Sequence, residues 1–377
     1  MLVPLALLVI TIQQQIKISE LKTLLISARN NVNSQLKLNK SKDIKYTESK
    51  YFDEISFLSL FNCCAEDGSE AMNFLDDVPC GTALLQQLKK LEFDCVEEQF
   101  HELFEKQFYE MFPKAKKGKK YKAIVIIDNH EQETYSKEKR TSKNIRGGKH
   151  KNGTNFFFKY MTMQVLIKDK ILTLGIRFYS REEHQRKLTD ELIQFAKEFV
   201  KIKVVLLDRG FRDAELLNNL EYRQAPVFMP VVKDKKAKKC FEELEKSRCK
   251  AVKFWVSNNK GEIADVKLLM MRLSNGKEIG FYTTLSFLWL HTVNYYLKLY
   301  KKRWNIETGY RLQNMFLPKT TSINEVVRMF YFCYACAMHN LWLIIRLTTK
   351  VGKHFTVLKM KLVLLFFWIT THLPKDR

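Results

Sequence analysis

The chain has 377 residues, and 64 Lys and Arg against 41 Asp and Glu leave a formal charge of +23. Apolar and aromatic residues make up 46% of it, which excludes a wholly disordered chain, while 13 Gly and 7 Pro exclude collagen-like or linker-dominated architectures. The length suits two or three domains, and the positive excess points to a polyanion, because each Lys or Arg set on a phosphate releases condensed counterions.

Residues 1–12 (MLVPLALLVITI) are apolar like the core of a signal sequence, but lack a basic flank and a small-residue cleavage site. Residues 13–112 read as helical, with apolar residues at three- and four-residue spacing and a loop at Asp76-Asp77-Val78-Pro79-Cys80-Gly81-Thr82. A helical N-terminal domain over 1–112 follows from this. Lys114, Lys116, Lys117, Lys119, Lys120 and Lys122 then form a basic linker, 113–122.

The continuous apolar run Ala123-Ile124-Val125-Ile126-Ile127 predicts a strand buried on both faces, ending at Asp128. A basic loop follows, with seven Lys or Arg and one acidic residue between positions 136 and 151. Its glycine-bearing stretch 147–153 lacks the lysine-serine/threonine ending and strand–helix setting of a nucleotide-binding loop, and reads as a basic loop reaching for DNA backbone. Residues 155–167 and 171–178 predict two strands, 182–200 an amphipathic helix, and Val204-Val205-Leu206-Leu207 a second buried strand ending at Asp208. These elements give the first part of an α/β domain over 123–224. Residues 225–285 form a β-rich insertion that carries the basic run 233–239. A helical remainder occupies 286–350 and a helical tail 351–377.

Eight cysteines are spread mostly singly along the chain, which excludes a disulfide scaffold and suits a reducing cytoplasm. Cys333-Tyr334-Ala335-Cys336 has zinc-knuckle spacing, but no second Cys/His pair follows and the segment is almost wholly apolar. Buried thiols on a core helix are the better reading. The same segment, 326–347, is long enough to span a membrane yet is interrupted by Arg328, His339, Asn340 and Arg346, so a buried helix is expected and no membrane partner.

Two buried strands that each end in aspartate carry the chemistry. The carboxyl ends of strands in an α/β sheet open onto the functional crevice, and two aspartates converging there need a cation between them. Mg²⁺ or Mn²⁺ suits carboxylate ligands, and two ions about 3.5–4 Å apart would clamp a phosphodiester. Tyr300, Arg303, Glu307 and Arg311 follow at spacings of 3, 4 and 4, which predicts one helix face carrying a carboxylate between two arginines. His130, Glu131 and the run Glu182-Glu183-His184 read as ordinary loop and helix-terminus residues.

Strand-Asp128, strand-Asp208-Arg209-Gly210-Phe211 and Tyr300-x2-Arg303-x3-Glu307, over residues 120–345, together resemble the DDE transposases of prokaryotic insertion sequences. The subgroup is the one with a Tyr-x2-Arg-x3-Glu-x6-Lys box and a β-rich insertion before its glutamate. The resemblance implies an RNase H-like catalytic domain, a mixed sheet flanked by helices. It implies Asp128, Asp208 and Glu307 as the catalytic, metal-binding carboxylates, with Mg²⁺ as cofactor and Mn²⁺ able to replace it. Tyr300 and Arg303 would contact transposon-end DNA, joined by Arg311, Arg209, Lys149, Lys151, Lys143 and Arg146. The activity implied is cleavage at the element's ends and transfer of the 3′-hydroxyl to target DNA. A homodimer in the DNA complex, a prokaryotic cytoplasmic location at the nucleoid, and an end-recognising or dimer-forming role for 1–112 belong to the same expectation. The box's final lysine position is occupied by Asn314. A nuclease of the same fold without strand transfer, and an inactive transposase-derived DNA-binding protein, are the alternatives.

Overall fold

The computed structural model describes residues 31–38, 45–74, 76–136, 142–243, 249–273, 275–285, 293–348 and 356–372. The apolar stretch 1–12 lies outside them. The chain divides into two compact units, residues 117–309 and residues 1–116 with 310–377.

The helical unit begins with α1 (Glu48–Phe61), α2 (Ala65–Asn73), α3 (Gly81–Lys89) and α4 (Phe93–Met111). Apolar side chains repeat on one face of α4, where Val96, Phe100, Leu103, Phe104, Phe108 and Met111 are all buried.

The other unit is built on one nine-stranded sheet. Its first strands are β1 (Tyr121–Glu133), β2 (Arg146–Lys151), β3 (Thr154–Ile167) and β4 (Lys170–Phe178). Helix α5 (Gln185–Phe199) leads into β5 (Val200–Leu206), and α6 (Ala214–Tyr222) leads into β6 (Val227–Pro230). Helix α7 (Lys235–Glu242), the strands β7 (Cys249–Ser257), β8 (Ile263–Arg272) and β9 (Glu278–Thr283), and the helices α8 (Val293–Lys301) and α9 (Trp304–Asn314) complete the series. The order is β2-β3-β1-β5-β6-β9-β8-β7, with β4 also paired to β3. β1, β5 and β6 run parallel, and β3 and β9 flank them antiparallel. This is the mixed α/β sheet with flanking helices expected of the RNase H-like domain.

Several elements differ from the sequence reading. β1 does not stop at Asp128 but runs on to Glu133, because its antiparallel pairing with β3 continues to Glu133 opposite Phe157. The second half of the basic loop is a strand. Asn152 and Gly153, at φ +48° and +81°, form the two-residue turn that pairs Lys151 with Thr154. β6, expected inside the insertion, pairs with β5 and belongs to the central sheet, and β9, β8 and β7 extend that same sheet. The basic run 233–239 lies largely in α7, whose N-cap Asp234 accepts from the Ala237 amide at 2.9 Å.

The remaining helices, α10 (Glu325–Thr348) and α11 (Val357–His372), belong to the helical unit. The stretch 286–350, expected as one remainder of the catalytic domain, is thus divided. The reason is the burial that α10 demands: Phe330 meets Phe100 of α4 edge-on at 5.2 Å, and Gln107 of α4 donates to the Ala337 carbonyl at 2.9 Å and accepts from Asn340 at 3.0 Å. Residues 325–347 are long and apolar enough to cross a membrane, and 89% of the most apolar window is buried within the protein. Cys333 and Cys336 lie inside this packing, and burial pushes both thiols well above their ordinary value.

Candidate active site

β1 and β5 are parallel neighbours whose pairing ends at Ile126 opposite Leu206. Asp128 and Asp208 each lie two residues beyond that last pair, so the sheet delivers both aspartates to the same edge. There β5 turns away. Asp208 caps the turn by accepting from the Gly210 amide at 2.7 Å, and a Cβ at Gly210 would stand only 3.0 Å from Asp208 Oδ1.

The third element is not the single helix that the spacing predicted. α8 ends at Lys301, and bonds of Lys302, Arg303 and Ile306 back to Leu299, Tyr300 and Arg303 carry the chain through a tight turn into α9. The side chains nevertheless meet. The Tyr300 ring packs on Phe281 of β9 at 5.0 Å and Phe228 of β6 at 6.5 Å. Its hydroxyl accepts from Arg303 Nε at 3.0 Å. Arg303 then reaches Asp128 Oδ2 through Nη1 at 3.2 Å and Glu307 Oε1 through Nη2 at 2.8 Å. α9 approaches β3 through Gly309, where a Cβ would stand 3.3 Å from Gln164 Nε2.

The Asp128 side chain is 14% exposed and Arg303 12%, whereas Glu307 is 56% exposed. Burial pushes the Asp128 carboxyl up to about 6; the Arg303 charge opposes this, and Asp208 and Glu307 both add to it. Asp128 therefore senses both other carboxylates, and the positive charge between it and Glu307 is a guanidinium. Oxygen donors with mutual repulsion suit a hard divalent cation. Among the described residues, no three Asp, Glu, His or Cys side chains are drawn together closely enough to hold a metal ion as they stand.

The other site residues separate by their surroundings. Arg209 and Lys149 are exposed. Lys143 pairs with Glu182 at 3.6 Å and Lys151 with Glu133 at 3.4 Å, both near the surface. Arg146 is engaged inside its unit: it donates to the Ser180 and Glu183 carbonyls and stacks over Tyr179 at 3.9 Å. Arg311 is exposed on α9 past the unit boundary, and so is Asn314. Glu131 pairs with Lys159 at 2.7 Å, and burial pushes His130 down to about 4. Gly309 and the Asn152-Gly153 turn were not singled out from sequence. The Asn-Gly dipeptide between two polar-flanked runs is a signal that would have found the second.

The mixed sheet thus brings two aspartates to one edge, and α9 carries a glutamate joined to one of them through Arg303. The family described as "Transposase DDE domain" matches residues 119–341, more than half of the chain, and the protein belongs to that family. A search of curated proteins gives no match. Among solved structures, the chain is similar to the piggyBac transposase in a cryo-EM synaptic complex with hairpin DNA. The TM-score is 0.58 at 9% identity, over 98% of this chain and 83% of that one. The likeness is one of fold.

Proposed function

We propose that this transposase cuts DNA strands at the ends of an insertion sequence and transfers the freed 3′-hydroxyl to target DNA. Asp128, Asp208 and Glu307 would hold Mg²⁺, or Mn²⁺ in its place. The observation that carries the reading is the equal offset of Asp128 and Asp208 beyond the β1–β5 pairing, with Glu307 tied to Asp128 through Arg303.

Bound divalent metal would supply charge neutralisation at the scissile phosphate and activation of the attacking oxygen. The chain's own part is positioning. The two strand ends fix Asp128 and Asp208, the Tyr300 ring anchors the box to β6 and β9, and Gly309 seats α9 against β3. Arg303 and the exposed Arg209, Lys149 and Arg311 would meet phosphate oxygens, with Lys143 and Lys151 beside them. Attack by water breaks the P–O3′ bond at the element's end, and the resulting 3′-hydroxyl attacks a target phosphorus, breaking the target's P–O3′ bond and releasing a target 3′-hydroxyl. Two ends must be joined, which favours a homodimer on DNA. On this reading the protein acts beside the nucleoid of a prokaryotic cell.

The test is cleavage of the element's terminal-repeat duplex with Mg²⁺, followed by joining to a plasmid. Asp128→Asn should lose cleavage by at least about a thousandfold; wild-type-like cutting by that variant would remove the carboxylate assignment. Cutting without joining would leave a nuclease.

A further inference from the structure

The guanidinium of Arg303 occupies the place between Asp128 and Glu307 that a shared cation would take. Three contacts define its position: 3.2 Å to Asp128 Oδ2, 2.8 Å to Glu307 Oε1, and 3.0 Å from Nε to the Tyr300 hydroxyl. The last contact leaves both terminal nitrogens aimed at carboxylates. Tyr300 in turn is fixed by its ring against Phe281 and Phe228, so the arginine is held from behind by a rigid post. Burial adds to the hold, since a guanidinium only 12% exposed is stable there only while its charge is paired.

We infer that Arg303 is a built-in competitor of the divalent metal: it neutralises Asp128 and Glu307 in the free protein and must swing out before they can ligate an ion. The inference rests on the assignment of those carboxylates to metal. It accounts for one guanidinium bonding both carboxylates at once, Asp128 through Nη1 and Glu307 through Nη2. It also gives the box arginine two successive partners. Released from the carboxylates, its planar fork suits a phosphate oxygen pair, so arrival of DNA and loading of metal become linked steps. A free transposase would then stay poorly loaded and idle until a DNA backbone takes the guanidinium away.

The size of the effect follows from occupancy. If Arg303 fills the position about nine-tenths of the time, the apparent metal affinity falls about tenfold. The experiment is titration of the full-length, DNA-free protein with Mn²⁺, reading the free-ion spin-resonance signal, for wild type, Arg303→Ala, Tyr300→Phe and Asp128→Asn. Arg303→Ala should bind Mn²⁺ about tenfold more tightly than wild type. Tyr300→Phe, which keeps the ring and frees the guanidinium, should bind about two- to threefold more tightly. A folded Arg303→Ala protein with unchanged or weaker Mn²⁺ affinity overturns the inference, since a purely structural arginine would lower the melting temperature without improving metal binding. If Arg303→Ala does not fold, Tyr300→Phe decides on the same criterion. Asp128→Asn separates the two readings. Binding undiminished in that variant refutes the carboxylate assignment itself, whereas binding lost there but not improved in Arg303→Ala refutes only the competition.

Discussion

Arg303 donates to Asp128 across 175 residues of sequence, and it does so with its Nε tied to Tyr300 three residues earlier. A local contact and a long-range one thus share a single guanidinium. The local contact sets the direction of the fork, and the long-range contact locks the box to β1. Tyr300 is therefore a positioning residue whose ring and hydroxyl act separately.

Those two parts predict different outcomes. Tyr300→Ala removes a ring packed on Phe281 and Phe228, and should cost about 3 kcal/mol of stability. Tyr300→Phe keeps that packing and removes only an acceptor, and should cost about 1 kcal/mol. Denaturant unfolding of both variants checks this. Equal losses would mean that the hydroxyl, not the ring, anchors the box.

A second prediction concerns pH. Glu54 of α1 is fully buried, neither carboxylate oxygen has a hydrogen-bond partner, and burial, then Glu66, pushes it from 4.5 up to about 8. A raised folded-state value means that the group's contribution to stability is full below pH 4.5 and is lost as pH rises through about 8. Glu54→Met, of similar volume and without charge, should therefore stabilise the protein at pH 9 by about 2 kcal/mol, with a much smaller effect at pH 5. Melting curves at the two pH values decide it; a gain independent of pH would mean that packing rather than ionisation is responsible.

The two buried strands were legible because Ala123–Ile127 and Val204–Leu207 are continuous apolar runs that only a two-sided burial explains. Their aspartates came with them. That Tyr300, Arg303 and Glu307 would meet was legible from their spacing, even though a turn at 302–303 breaks the helix that the spacing implied, because Arg303 still reaches three back and four on. The polar half of β1 was not legible. Asp128-Asn129-His130-Glu131-Gln132-Glu133 has no strand pattern of its own, and its conformation comes from pairing with the aromatic-rich Phe157–Thr162 segment of β3. The allegiance of α10 was equally hidden, since an apolar helix does not say which unit will bury it.

Gly309 should be intolerant of bulk. A Cβ added there would stand 3.3 Å from Gln164 Nε2, a side-chain end that can give slightly, so Gly309→Ala should change stability little while gaining helix propensity. Gly309→Val adds branched volume against β3 and should cost about 1–3 kcal/mol, lifting α9 and Glu307 away from the aspartates. Strand cleavage by the valine variant should fall more than its stability at the assay temperature accounts for. Full activity in that variant would show that α9 need not sit this close.

Arg146 and Lys149 lie on the same strand and should behave oppositely. Arg146 serves the carbonyls of Ser180 and Glu183 and the Tyr179 ring, so Arg146→Ala should lower stability by about 1–3 kcal/mol. Lys149 is exposed, and Lys149→Ala should leave stability within about 0.5 kcal/mol while reducing the slope of log affinity for duplex DNA against log salt by about 1. Filter binding across a salt series, beside unfolding curves, separates the two roles. A changed slope for Arg146→Ala alone would reverse the assignment.

Asn314 stands where the box expected from the sequence would end in lysine. It is the last residue of α9, its side chain is exposed, and its carbonyl accepts from Asn62 at 3.1 Å. A lysine there keeps the carbonyl and places a cation at a helix C-terminus, which the helix dipole favours by about 0.3–1 kcal/mol. Asn314→Lys should therefore fold at least as stably as wild type. If the α9 terminus faces DNA backbone, the variant should bind duplex with a salt slope steeper by about 1, its gain in affinity largest at low salt and fading as salt rises. An unchanged slope with unchanged stability would show that this end of the helix stands clear of the backbone, and that a lysine there adds nothing.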